Sequence, residues 1–310
     1  MQSLRRLSMG ALVLAFTQIV FGAIVRITGS GMGCGDHWPK CNGAWFPPHN
    51  RMDLIIEITH RYIALALSLV IAGLVVSAFL RRREAGVSGP GGVLRPAAIS
   101  AALVIAAALL GAVTVKMVLN PFIIAAHLTI AMSLLASLAV SVARAGGLGA
   151  SADLTGATPK TFRAARVAVG LTIVTLVMGA LTANVPDAAA SCGGFPWCRT
   201  VAAGGTPLVI QIVHRVIAFM LFAHLWGIWV AVRKRKEPRP IVMAARVAFF
   251  AATLQVLIAA AMIEMHFPPV LRLLHQAAGT FVWLAVVALA IIAARAATEP
   301  EPFAGVRAAA

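Results

Sequence analysis

Four histidines stand at matching places in long apolar segments of the chain: His60, His127, His214 and His275. Each lies about one to two helical turns from the same end of an even-numbered segment. Ionisable groups inside a bilayer are costly, and those that occur there usually have a function. A single such histidine could equally serve as a hydrogen-bonded contact between helices. Four of them at equivalent depth favour a shared chemical role.

The residue type points to metal binding. Imidazole suits zinc, copper and iron, but a zinc site needs three or four donors, and at this depth the sequence adds only Glu57. Two imidazoles that face each other across a bundle fit the two axial positions of a haem. We therefore predict one haem site between His60 and His127 and a second between His214 and His275.

Small residues on the neighbouring segments would let a flat macrocycle approach the backbone, or would simply pack helices together. They are Gly22, Ala23, Gly111, Ala112, Gly179, Ala180 and Ala259 to Ala261.

The segments that position these residues form an internal repeat. His60-Arg61 recurs as His214-Arg215, at an offset of 154 residues, and His127 recurs as His275, at an offset of 148. Glycine and cysteine positions repeat at similar offsets, and such self-similarity indicates a duplicated unit. Because each unit has an even number of segments, both copies cross the membrane in the same direction. The sequence predicts an all-α integral membrane protein of eight transmembrane helices, arranged as two tandem parallel four-helix bundles. The predicted halves are residues 1–145 and 164–310, joined by a cytoplasmic linker at 146–163.

Composition supports a membrane protein and excludes a soluble one. Of the 310 residues 60% are apolar and 12% charged, with mean hydropathy +0.91, whereas soluble domains are about a quarter charged. The apolar residues fall in blocks long enough to cross a bilayer. The predicted spans are 9–27, 55–80, 97–117, 122–143, 165–184, 208–232, 241–263 and 270–294. We interpret the first as a retained span, because no convincing cleavage site follows it.

The net charge of +16 is a topology signal. On one side of the membrane the predicted loops hold 17 of the 26 basic residues. This asymmetry places both termini in the cytoplasm, the histidines towards the outer face of a bacterial inner membrane, and argues against nucleic-acid binding.

One polar position differs between the halves. Glu57 precedes His60 by three residues on the same helix face, and Gln211 holds the equivalent place before His214. A carboxyl group beside one site only predicts proton-coupled chemistry in the first half; a structural hydrogen bond is the alternative. Arg61 and Arg215 could pair with haem propionates or extend to the membrane surface, and their repetition favours pairing.

The two cysteine pairs lie in the long outer loops, where disulfides persist. Cys34 and Cys41 enclose six residues and Cys192 and Cys198 enclose five, so that closing either loop adds little stability by loop entropy. A redox or haem-positioning role for the first pair therefore competes with a structural one. Four further histidines lack repeat partners and are interpreted as packing or loop residues: His37, His49, His224 and His266.

Together these features resemble the heme A synthase family. The resemblance covers nearly the whole chain and is carried by the stretch from Gly22 to Gly31, the stretch from Cys34 to Gly43, Glu57 with His60-Arg61, His214-Arg215 and His275. It implies a membrane-bound oxidoreductase that oxidises a ring methyl of heme O to the formyl group of heme A for cytochrome oxidase.

The resemblance also implies residue roles and partners. It places the substrate haem between His60 and His127, with Glu57, Cys34 and Cys41 contributing to activity, and a prosthetic heme B between His214 and His275. It implies disulfides Cys34–Cys41 and Cys192–Cys198. The implied partners are a heme O synthase (protoheme farnesyltransferase), cytochrome oxidase assembly factors, an unidentified electron acceptor and the lipid bilayer.

Two other classes of protein remain as alternatives. A di-haem membrane cytochrome b would explain the histidines but not Glu57 or the cysteine loops. A transporter would predict inverted repeats and broken helices, which the sequence does not contain. If histidines fill both axial positions of the substrate iron, oxygen cannot bind there, which favours electron withdrawal followed by water attack.

Overall fold

The computed structural model describes residues 1–47, 51–148, 150 and 153–298, and these form eight long helices. His49 lies outside the described residues. The helices are α1 (Gln2–Ile27), α2 (Met52–Leu80), α3 (Leu94–Lys116), α4 (Pro121–Arg144), α5 (Pro159–Asn184), α6 (Gly205–Lys234), α7 (Arg239–Glu264) and α8 (Pro269–Thr298).

All eight helices are long and apolar enough to cross a membrane. Their exposed faces are apolar, as on α2, where Leu65 and Leu69 are 57% and 65% exposed. Large apolar side chains in such numbers on the outside of a helical protein are typical of a lipid-facing surface. The prediction of an all-helical, multi-pass membrane protein with eight spans is confirmed.

The helices extend past most of the predicted span limits, because backbone hydrogen bonds continue beyond the apolar block. The largest differences are at α1, which begins at Gln2, and at α5, which begins at Pro159 within the predicted linker. Proline opens α4, α5 and α8, where its missing N–H costs nothing and its fixed φ suits the first turn. At α4 the Asn120 side chain also accepts a hydrogen bond from the N–H of Phe122 at 3.0 Å.

Helix contacts close two rings of four. In the first ring α1 contacts α2 and α4, and α3 contacts α2 and α4; in the second, α5 contacts α6 and α8, and α7 contacts α6 and α8. The rings meet where α4 packs on α5 and where α8 packs on both α1 and α4. These contacts agree with two four-helix units, and the limits of the halves at residues 145 and 164 stay a prediction.

The loops alternate between two ends of the molecule. The end with the loops after α1, α3, α5 and α7, here the cysteine-loop end, is held together by contacts such as that of Arg199 with Glu264. It also contains a short 3-10 helix (Ser30–Met32) and a two-stranded hairpin, β1 (Cys192–Gly193) paired antiparallel with β2 (Thr200–Val201). At the opposite end, here the terminal end, Arg5 reaches the carbonyl of Gly146 and Arg144 that of Gly92.

Each ring has an apolar core that fills only the half nearer the terminal end. In α2 the core begins at Leu67, two turns beyond His60, and in α6 it begins at Leu221, two turns beyond His214. In α1, which runs the opposite way, the last core residue is Ile19. The core therefore stops short of all four histidines and forms a packed floor beneath them.

The two rings share core residues. Trp283 and Val287 of α8 belong to the core of the first ring, and the indole N–H of Trp283 donates a buried hydrogen bond to the carbonyl of Met132 on α4 at 2.8 Å.

We predict that Trp283 contributes strongly to the joining of the two rings. Trp283→Phe removes the hydrogen bond and should lower the free energy of unfolding by about 1 kcal/mol. Trp283→Ala also removes the buried ring and should cost about 3 kcal/mol or more. The matched control is Trp226→Ala, because Trp226 is 54% exposed on the outside of α6. Unfolding in mixed detergent measures all three, and equal stability of the two alanine variants would contradict the prediction.

Candidate functional site

All four predicted histidines lie in the less packed half of the rings. Each is about two turns from the start of its helix at the cysteine-loop end, and each is partly buried. The neighbouring odd-numbered helix presents a glycine or a glutamine to each ring, and these four local environments differ.

His60 on α2 is surrounded by three residues of α1. The Nε2 atom of Gln18 lies 3.2 Å from the Nε2 atom of His60 and donates to the His60 backbone carbonyl at 3.0 Å. Phe21 stacks nearly parallel to the imidazole, with ring centroids 6.2 Å apart. A Cβ atom at Gly22 would lie 3.3 Å from His60 Cε1. The Nδ1 atom of His60 is buried and has no hydrogen-bond partner.

His127 on α4 packs against Gly111 of α3, where a Cβ atom would lie 3.4 Å from its Cε1 atom. His60 on α2 and His127 on α4 lie at similar distances from the cysteine-loop end of the same ring of helices.

In the second half, His214 on α6 packs against α5 in the way that His60 packs against α1. Its Nδ1 atom lies 3.2 Å from the carbonyl oxygen of Thr175. A Cβ atom at Gly179, the repeat equivalent of Gly22, would lie only 2.9 Å from His214 Cε1. No such atom could be added without moving the imidazole.

His275 on α8 is contacted by Gln255 of α7, whose Nε2 atom lies 3.1 Å from Nδ1 and 3.2 Å from Nε2 of the ring. Gly279 leaves room for this amide, because a Cβ atom there would lie 3.3 Å from it. His214 on α6 and His275 on α8 likewise lie at similar distances from the cysteine-loop end of the second ring.

The donors fit an iron porphyrin with two axial imidazoles. Each half offers two histidines, and glycines set the distance between three of the rings and the neighbouring helix. The buried amide oxygens of Gln18 and Gln255 have no hydrogen-bond partner, which is costly in an apolar medium. In the described part of the chain no group of three or more His, Cys, Asp or Glu residues could hold a metal ion directly, so a bare zinc or copper site has no donor set here.

Glu57 contacts the first cysteine loop. It is 4% exposed, its Oε2 atom accepts from the N–H of Cys34 at 2.8 Å, and its Oε1 atom accepts from Arg61 at 2.5 Å. Arg61 in turn donates to the carbonyls of His37, Pro39 and Lys40 at 2.9, 3.3 and 3.2 Å. The guanidinium predicted to pair with a propionate is therefore engaged with Glu57 and loop carbonyls.

Gln211 and Arg215 fasten the second cysteine loop in the same way. The Gln211 amide donates to the carbonyl of Ala189 at 2.8 Å and accepts from the Ser191 hydroxyl at 2.8 Å. Arg215 donates to the carbonyls of Cys192 and Gly194 at 2.7 and 2.8 Å. The repetition of Arg61 as Arg215 thus has a structural reason: both arginines hold a cysteine loop. Beside these arginines the halves differ in chemistry, because the first has the carboxyl group of Glu57 and the second the neutral amide of Gln211.

Both cysteine pairs form disulfides in the structure, Cys34 with Cys41 and Cys192 with Cys198, with Cα atoms 4.7 and 5.2 Å apart. Cys34 and Cys41 are fully buried and pack with Leu54 and Ile58 of α2. The first disulfide therefore lies against the helix that carries Glu57 and His60.

The remaining described histidines lie apart from these sites. His224 contacts the carbonyl of Ala164 at 2.9 Å, which agrees with a packing role. His37 lies beside Asp36 in the first cysteine loop, and His266 follows the end of α7.

Sequence reasoning missed Gln18 and Gln255 as neighbours of the histidines. Both are isolated amides in apolar helices, and a polar residue at membrane depth was the available signal. They do not occupy equivalent repeat positions, since the repeat equivalent of Gln18 is Thr175 and that of Gln255 is Ala107. A comparison of the two halves for shared residues therefore does not identify either glutamine.

Comparison with known proteins places the chain among assembly proteins of a respiratory oxidase. The model of the family described as cytochrome oxidase assembly protein matches residues 5–55 and 50–287. A protein named heme A synthase from Bacillus mycoides is 26% identical over 261 residues, which are 82% of this chain and 82% of that protein.

Shorter alignments are more similar in sequence. A heme A synthase from Geobacillus kaustophilus is 54% identical over 46 residues, and a protoheme IX farnesyltransferase from Thermus thermophilus is 57% identical over 42 residues. These alignments span only 14% and 7% of those two proteins. The family match, in contrast, extends over all eight helices, and the chain belongs to the cytochrome oxidase assembly protein family.

Proposed function

We propose that the chain is a heme A synthase, an oxidoreductase that converts a ring methyl of heme O to the formyl group of heme A. Family membership and the name of the Bacillus mycoides relative support this activity. The observation that carries it is the difference between the halves: two similar histidine pairs, of which, among the described residues, only the first has a buried carboxylate hydrogen-bonded to a cysteine of a buried disulfide.

In this proposal the first half binds the substrate. His60 and His127 hold heme O, and Gly22 and Gly111 leave the room their rings need. The packed floor of apolar side chains limits how far the macrocycle enters the bundle. With water as the oxygen source, conversion of methyl to formyl releases four electrons and four protons, so the site must export both.

Glu57 is suited to accept the protons that the oxidation releases. In the described part of the chain it is the buried acid at the cysteine-loop end, three residues before His60. Arg61 and the N–H of Cys34 hold its two oxygens, and a carboxylate in this position can accept a proton from a reacting water. The contact with Cys34 connects this carboxylate to the loop and holds it in place.

The second half would transfer the electrons that the oxidation releases. His214 and His275 would hold a prosthetic heme B, whose iron supplies one-electron chemistry. Gln211 is the neutral equivalent of Glu57. Its amide cannot accept a proton, and electron transfer through the second half would not require it to. An electron acceptor, a heme O synthase and cytochrome oxidase assembly factors complete the proposed partners.

The distribution of basic residues supports an orientation. The terminal end carries most of the arginines and lysines, so both termini would lie in the cytoplasm of a bacterial cell and the histidines towards the outer face.

The proposal predicts that Glu57→Gln abolishes heme A formation. The chain is co-expressed with a heme O-forming farnesyltransferase, and extracted haems are separated by chromatography. Wild type should yield heme A, and the variant should retain heme O or a partly oxidised intermediate, because the amide cannot accept a proton. The matched control Glu84→Gln changes an exposed acid paired with Arg81 at the terminal end and should form heme A normally. Undiminished heme A in Glu57→Gln would remove Glu57 from the mechanism, and heme B alone in wild type would favour a di-haem cytochrome b.

A second prediction concerns the glycine against His214. Gly179→Ala places a methyl group 2.9 Å from the imidazole and should displace it from the iron, so that the purified protein retains about tenfold less heme B. The control Gly170→Ala lies on the same helix, where an added Cβ meets nothing within 4 Å. Haem content is measured by the pyridine haemochrome method. Equal haem content in the two variants would contradict the close approach of α5 to the haem ligand.

A further inference from the structure

Two arginines at the cysteine-loop end, Arg26 in the last turn of α1 and Arg272 in the first turn of α8, form no ion pair with any carboxylate of the described residues. The two helices contact each other, and both arginines are partly buried. Among the described residues neither forms an ion pair, although Arg61 and Arg199 at the same end each pair with a glutamate. The side chain of Arg26 donates one hydrogen bond within the described residues, to the carbonyl of Ala183 at 3.4 Å.

Such an arrangement is unfavourable unless an anion completes it. Guanidinium stays protonated in proteins, so the two groups cannot relieve their repulsion by losing a proton. Near a bilayer the effective dielectric constant is lower than in water, and like charges repel more strongly. Removing two charges from water is costly without a partner of opposite sign. The pair therefore has the properties of an anion-binding site with a preference for carboxylate or phosphate oxygens.

The position of the pair relates it to the second histidine site. Arg272 precedes His275 by three residues, on the same face of α8, and the electrostatic influence of Arg26 reaches His275. Both arginines lie nearer the cysteine-loop end than the histidine does. The anion would thus lie between His275 and the membrane surface.

The repeat shows that this charge is specific to one half. The residues equivalent to Arg26 and Arg272 are Ala183 and Ile124, both without charge. The first histidine site therefore has no corresponding cation pair. A general need for positive charge at the membrane surface would not explain this difference.

We propose that Arg26 and Arg272 together bind the propionate carboxylates of the haem held by His214 and His275, so that α1 of the first half completes the prosthetic site of the second. This inference rests on the proposed function. Arg215, which the sequence had suggested for the role, donates to loop carbonyls instead.

The arrangement affects the redox properties of the second haem. Positive charge beside a haem destabilises the ferric state relative to the ferrous state, so it raises the reduction potential and favours acceptance of electrons. The same helix α1 contacts His60 through Gln18 and Gly22, and Arg26 follows Gly22 by one turn. A single helix, α1, thus contacts the first histidine site and places a positive charge beside the second.

The test compares Arg26→Gln and Arg272→Gln in the full chain carrying His60→Ala and His127→Ala, so that only the second haem is observed. Each variant should lower the midpoint potential of the b-type haem and reduce haem retention about tenfold. The low-spin spectrum of the remaining haem should persist, because both imidazoles are intact. Arg26→Lys retains the charge and should keep a potential close to that of the parent.

Two controls separate the possible outcomes. Arg246→Gln removes a charge from the exposed face of α7 near the terminal end and should change neither quantity. Exchange of anionic for neutral phospholipid in nanodiscs tests a lipid phosphate as the anion. A potential that depends on the lipid, or one that Arg26→Gln and Arg272→Gln leave unchanged, overturns the inference. Absence of haem from the parent would instead contradict the proposed function.

Discussion

The architecture depends on where close packing stops. In both rings the apolar core fills the half nearer the terminal end and finishes about two turns before the histidines. Above that level the helices present glycines, glutamines and imidazoles to one another. A close-packed interior leaves no space for a planar ligand, so the division of each helix into a packed part and a looser part decides where such a ligand can bind. The cysteine loops then cover the open end.

Within this frame the two halves use one scaffold for different purposes. Glu57 and Gln211 both contact their cysteine loops, Glu57 by accepting from a backbone N–H and Gln211 by donating to a backbone carbonyl. Arg61 and Arg215 donate to loop carbonyls in both halves. After duplication, the residue at the position of Glu57 and Gln211 can differ in charge while the helix still holds its cysteine loop. The departures from the repeat, rather than the repeat itself, distinguish the sites.

Much of the fold could be predicted from the sequence, because membrane spans follow from composition alone. The histidines were found by their equivalent depth, and the structure places all four about two turns from the cysteine-loop end of the even-numbered helices; their pairing as haem ligands stays a prediction. The helix starts were predicted less well, as at α5, because backbone hydrogen bonding does not end with the apolar block. The loop-carbonyl partners of Arg61 and the placement of Arg26 and Arg272 at one end of the contacting helices α1 and α8 were not predictable. Both depend on residues distant in sequence, and neither has a periodic signature.

The ion pair between Glu57 and Arg61 illustrates the same limit. Their spacing of four residues on α2 is a common helical pair, yet nothing in the sequence favours it over a haem propionate. In the structure one terminal nitrogen of the guanidinium donates to Glu57 and the other to the loop carbonyls of His37, Pro39 and Lys40.

The parallel direction of the two rings has a consequence for bioenergetics. His60 and His214 lie at corresponding levels of their helices, as do His127 and His275. If the proposed haems are held at those levels, an electron that passes between them would travel parallel to the membrane plane. It would cross none of the voltage drop between the two aqueous compartments, which would otherwise contribute about 2.3 kcal/mol per charge at 100 mV. Such a transfer would proceed equally well in energised and de-energised cells.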